Sequence, residues 1–113
     1  MNDYTDAAPE SASDDTARQV ESLLTSGEEA SRTGDAKSAL AAFNKAISLD
    51  PSSDMAWFNR GVLLEAQQDA RGARQAFQIC LDVNPNHAPA TANLCILLAV
   101  SYTHLRAHET NSH

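Results

Sequence analysis

Few residues in this chain have the types and spacing that chemistry needs. His104 and His108 stand four apart, so on a helix both rings would share one face. Two histidines at that spacing can hold a metal. The zinc-protease pattern also needs a glutamate after the first histidine, and that position is Leu105. His113 would join only by its nearness to the chain end, so no metal site is expected. Cys80 and Cys95 are the only cysteines and lack the Cys-x-x-Cys spacing. A bridge between them would need an oxidising compartment and suitable Cβ geometry, whereas buried cysteine packs as a small hydrophobe. No Ser–His–Asp order, Gly-rich phosphate loop or dinucleotide fingerprint occurs. Glu28-Glu29 reads as solvated helix surface. No catalytic or cofactor-binding residue is expected, and the chain reads as a binding surface without enzyme activity.

The elements that carry these residues repeat. Phe43 and Phe77 lie 34 residues apart, and the same offset joins Pro51 to Pro85, Gly27 to Gly61 and Asp35 to Asp69. It also joins Ala39 to Ala73, Ala56 to Ala90, Asn59 to Asn93 and Leu64 to Leu98. A fixed period of this size marks stacked units, each too small to bury its own apolar face. Within a unit, Ala36, Ala39, Leu40, Phe43, Ala46 and Ile47 form the i, i+3, i+4, i+7 stripe of an amphipathic helix. Gly27 with Ala39, and Gly61 with Ala73, are small where two helices must cross closely. Phe43 and Phe77 are expected to wedge between successive helices. Gly34-Asp35 ends one helix and caps the next, while Gln68-Asp69 keeps the cap without the glycine. Asp50-Pro51 and Asn84-Pro85 stop the second helix of each unit. Helices are therefore expected at about 17–32, 36–49, 54–67, 70–83 and 88–100, with no strand.

This pattern resembles the tetratricopeptide repeat, a 34-residue helix–turn–helix. Trp57-Phe58-Asn59-Arg60-Gly61, then Ala73, Phe77 and Pro85, follow its W-x2-L-G-x2-Y…A-x3-F…P order. The resemblance implies an all-α fold, an α-α superhelical solenoid, with units at 20–53 and 54–87 and part of a third at 88–100. Leu23 and Thr91 replace the tryptophan, Ser26 and Arg60 replace the leucine, and Cys95 takes the glycine slot of the third unit. In the resembled family the first helix of each unit lines a concave groove, where an asparagine in the slot of Asn59 and Asn93 contacts an extended peptide. The amide suits that role because it both donates and accepts. The implied groove residues are Thr25, Met55, Phe58, Asn59, Val62 and Asn93, with Glu28 and Ile96 among their neighbours. The clamp that grips chaperone C-terminal carboxylates in some members is not matched. Its basic positions hold Leu24, Pro89 and Asn93.

Charge and the two ends complete the reading. Met1 to Arg18 holds five acids and one base with no apolar run, so 1–18 is expected to be a disordered acidic leader. It has no basic start followed by an apolar stretch, so it is not a secretory signal, and a cytoplasmic location is expected. Val20 to Val100 carries nine acids and six bases without a Lys/Arg cluster, so no nucleic-acid partner is expected, and Leu94 to Val100 is too short to span a bilayer. That run is expected to be buried on most sides. After Val100 the repeat pattern stops. Residues 101–113 resemble translated adaptor or vector sequence, so the gene is expected to continue differently and 101–113 to be a non-native tail. The leading expectation is a scaffold that binds a protein or peptide segment and needs no cofactor. Alternatives are the repeat module of a larger enzyme, such as a glycosyltransferase or sulfotransferase, or a self-assembly module that associates through an exposed final helix.

Overall fold

The computed structural model describes the backbone of residues 2–111 and the side chains of residues 14–102. It contains five helices: α1 (Asn2–Arg32), α2 (Ala36–Leu49), α3 (Asp54–Ala66), α4 (Ala70–Val83) and α5 (Ala88–Asn111). Among the described residues there is no strand. α1 pairs with α2, and α3 with α4, as two helical hairpins. α2 packs on α3, α4 on α5, and α1 also reaches α3. This is the all-α repeat solenoid that the periodicity predicts.

The same local chemistry ends and starts corresponding helices. Asp35 accepts from the Ser38 amide at 3.1 Å, and Asp69 from the Gly72 amide at 2.9 Å. Each side chain satisfies one of the amides that a helix start leaves unpaired. Hydrogen bonds from Ser38 hold the Asp35 carboxyl below its ordinary value. Before each cap the chain turns left-handed. Gly34 has φ 87°, and Gln68 takes φ 68° in the equivalent place. Amides then reach back five residues, Asp35 to the Ala30 carbonyl at 2.8 Å and Asp69 to the Leu64 carbonyl at 2.9 Å. Glycine adopts such a φ at no steric cost and glutamine does not. The missing glycine was legible in the sequence; that the backbone keeps the same turn without it was not.

Packing repeats as well. Phe43 is 2% exposed and Phe77 fully buried. Each ring lies against the glycine of the preceding helix. A Cβ on Gly61 would meet Phe77 Cε1 at 2.5 Å, and one on Gly27 would clash with the Phe43 ring in the same way. Around Phe77 gather Leu64, Ala73, Cys80, Ala90 and Leu97, with Trp57, Phe58 and Leu94 at the edge. A second cluster joins Val20, Ala46 and Ala56, and a third joins Ala39, Phe43 and Leu63. The Trp57 indole donates to the Pro51 carbonyl at 2.8 Å, and the Arg60 guanidinium lies 5.8 Å over its ring.

Several expectations need correction. The first helix begins at Asn2 rather than near residue 17, and the last continues past residue 100 to Asn111. The expected disordered leader and non-native tail fall largely on residues whose side chains lie outside the described set. The run Leu94 to Val100 is not buried on most sides. Leu97 is buried, but Ile96 is 56% and Val100 62% exposed, because among the described residues α5 packs chiefly on α4 and no helix covers its outer side. Cys95 is exposed for the same reason. It holds the slot of the buried Gly61.

Candidate peptide-binding groove

Between α1 and α3 runs an open groove of about 470 Å³, the size of an ordinary ligand pocket. The α1 wall presents Thr25, Glu28, Ser31 and Arg32, and the α3 wall presents Phe58, Asn59, Val62 and Leu63. Phe43 of α2 also lines it. Both walls are first helices of their units. Residues three and four apart on one helix share a face, which puts Thr25 beside Glu28 and Phe58 beside Val62.

Four of the six residues read from the sequence meet here: Thr25, Phe58, Asn59 and Val62. Asn59 is half-buried, and its Nδ2 is fully enclosed with no hydrogen-bond partner among the described residues. A buried donor without an acceptor costs roughly 1–3 kcal/mol. Thr25 donates its hydroxyl to the Glu21 carbonyl at 3.0 Å, so only its lone pairs remain for a ligand. Phe58 does structural work besides lining the groove. Its ring is 5.7 Å from that of Phe77 and 4.9 Å from that of His87, both tilted. Val62 is exposed.

The other two do not join this cavity. Met55 is exposed, but its sulfur lies 3.4 Å from His87 Nε2. Asn93, on α5, is half-buried and does not line this groove. The 34-residue period gives Asn59 and Asn93 equivalent slots, but this cavity is walled by α1 and α3, and α5 contributes nothing to its lining.

His87 was missed. It is the one buried residue with a polar side chain among the described residues, and it joins α3 to α5. Its Nδ1 accepts from the Ala90 amide at 3.1 Å, capping α5 as Ser53 caps α3 through the Ala56 amide at 3.3 Å. The signal was available, since Ser53 and His87 lie 34 apart. An Nδ1 that accepts leaves the proton on Nε2, which therefore donates to Met55 sulfur. The same imidazole cannot offer Nε2 to a metal without losing its cap. Nearby, Asn84 donates to Asp54 at 2.8 Å, tying the α4–α5 turn to the start of α3.

Nothing described supports other chemistry. Burial, then the negative charge of Asp54, pushes the Cys80 thiol up to about 11, so the thiolate that reacts is scarce at neutral pH. Among the described residues no cluster of three or more His, Cys, Asp or Glu side chains could hold a metal. His104, His108 and His113 lie outside the described side chains. No described helix is long and apolar enough to cross a membrane.

Comparison with known proteins agrees with this fold. The tetratricopeptide repeat family model matches residues 24–94. No curated protein sequence matches. Among solved structures, a mutant O-GlcNAc transferase from Thermobaculum terrenum superposes with a TM-score of 0.69 at 23% identity. The match covers 74% of this chain and 16% of that one, so at this identity it shows the fold alone.

Proposed function

We propose that this chain, which belongs to the tetratricopeptide repeat family, is an interaction module whose α1–α3 groove binds an extended segment of a protein partner. The observation that carries this reading is the enclosed Nδ2 of Asn59 on the groove wall, which lacks an acceptor. Because that nitrogen is enclosed, the half-buried amide must turn about χ2 toward the groove before a backbone carbonyl of a bound segment can accept from it; the neighbouring Phe58 and Val62 would receive an apolar side chain. Loss of the unsatisfied donor makes Asn59→Leu neutral or stabilising for the free fold. The same change removes the donor a peptide would use. Selection of a displayed random-peptide library on the wild type, with counter-selection on Asn59→Leu, tests this directly. Sequences retained by the wild type and lost from the variant support the groove. Equal retention by both proteins places binding elsewhere and sinks it.

A second reading, the repeat module of a larger glycosyltransferase or sulfotransferase, draws support from the likeness to part of a glycosyltransferase chain. The coding sequence beyond codon 100 decides it, since a catalytic motif there is required. A third reading, self-assembly, draws on the exposed Ile96, Leu98 and Val100 of α5. It requires an apparent mass that rises with concentration on size-exclusion chromatography.

A further inference from the structure

We infer that the segment the groove accepts is cationic: a lysine or arginine held on the α1 wall by Glu28 and Thr25, beside an apolar side chain on Phe58 and Val62. This rests on the groove reading above and adds the chemistry of the occupant. Thr25 and Glu28 are three apart on α1 and both line the cavity, so they stand side by side. The Thr25 hydroxyl hydrogen is committed to the Glu21 carbonyl, so this residue turns only lone pairs to the groove. The Glu28 carboxylate is exposed and engages no hydrogen bond or ion pair among the described residues. Together they form an acceptor-only surface, which suits an ammonium or guanidinium group and repels a carboxylate.

The cations nearby are already engaged. Arg32 on the same wall is bound to Glu29, one turn away and outside the lining. Arg60 of α3 lies over the Trp57 ring. The pairing of Arg32 with Glu29 matters, because Glu28 and Arg32 are themselves four apart in the favourable order and would otherwise neutralise each other. Glu29 thereby keeps Glu28 open. The net charge of −7 adds a long-range attraction for a basic segment.

The test uses the full chain and three fluorescein-labelled peptides: Gly-Leu-Lys-Leu-Lys-Leu-Gly and the same sequence with glutamine or glutamate for both lysines. Anisotropy titrations at low salt should rank them lysine, glutamine, glutamate. Glu28→Gln should weaken the lysine peptide about two- to fivefold, as for an exposed ion pair, and leave the glutamine peptide unchanged. Glu29→Gln should weaken the lysine peptide similarly, because Arg32 then turns to Glu28. Asp82→Asn, which removes an exposed acid on α4 outside the groove, should have no effect. Equal weakening by Glu28→Gln and Asp82→Asn would reduce the preference to net charge and overturn the inference. If all three peptides bind alike and all are lost with Asn59→Leu, the groove reading survives and the cationic preference falls. Absence of binding by any peptide, or binding that Asn59→Leu leaves untouched, takes down both.

Discussion

Replacing Gly61 with alanine should destabilise the wild type and stabilise a variant in which Phe77 is already smaller. The added Cβ would sit 2.5 Å from Phe77 Cε1, 2.7 Å from Cδ1 and 3.0 Å from Cζ. Carbon atoms prefer roughly 3.5–4.0 Å, so the ring must retreat by about 1 Å. It has nowhere to go. Phe77 is fully buried among Leu64, Ala73, Cys80, Ala90 and Leu97, with the Phe58 ring behind it at 5.7 Å. Overpacking of this kind costs roughly 1–3 kcal/mol, and so close an approach belongs at the upper end. Alanine regains about 1 kcal/mol over glycine inside a helix, which leaves a net loss of about 2 kcal/mol. With Phe77→Leu the ring is gone, the clash disappears and the helical preference for alanine shows as a gain of up to about 1 kcal/mol. The coupling between the two positions is then about 3 kcal/mol, the top of the usual range for touching residues. Urea denaturation followed by circular dichroism and by the fluorescence of Trp57 measures all four proteins, with unchanged m-values required. Additive effects, or an alanine that destabilises both backgrounds equally, would refute the idea that the ring alone dictates this glycine.

Three further outcomes follow from the same structure. Gln68→Gly should stabilise the fold by about 0.5–1 kcal/mol in a urea melt, because the left-handed φ of 68° costs glutamine roughly 1–2 kcal/mol while glycine gives back part in unfolded-chain entropy. Cys95 should react with a maleimide in the native protein, whereas Cys80, buried and with its thiol pushed up to about 11, should label only at the rate of unfolding; prompt double labelling measured by mass spectrometry would contradict this. The Asp35 cap has a pH signature of definite sign. Its carboxyl titrates lower in the folded chain than its ordinary 3.8, so its contribution is fully present above that value and is lost as pH falls through the lower folded value. Asp35→Asn should therefore flatten part of the acid-side loss of stability in pH-resolved melts.

The sequence by itself determined the repeat architecture. The second-helix stripes and the Asp35 and Asp69 caps place α2 and α4 at their observed bounds of Ala36–Leu49 and Ala70–Val83. That each ring sits on its glycine is what the structure adds; the sequence marked Gly27 and Gly61 as close-crossing positions and Phe43 and Phe77 as wedges between helices. These features are legible because they depend on local periodicity and on contacts that recur at a fixed offset. What the tertiary structure alone decided depends on which neighbour each repeat happens to have. Asn59 and Asn93 share a slot, yet only Asn59 has α1 opposite it and an enclosed, unpaired amide. Met55 and Phe58, groove residues by position, are drawn into packing with His87, because the turn before α5 carries an imidazole where the turn before α3 carries Ser53. Glu28 and Glu29 look alike in the sequence. Arg32 takes one and leaves the other open, a choice set by side-chain direction on the helix surface, which the sequence alone does not specify.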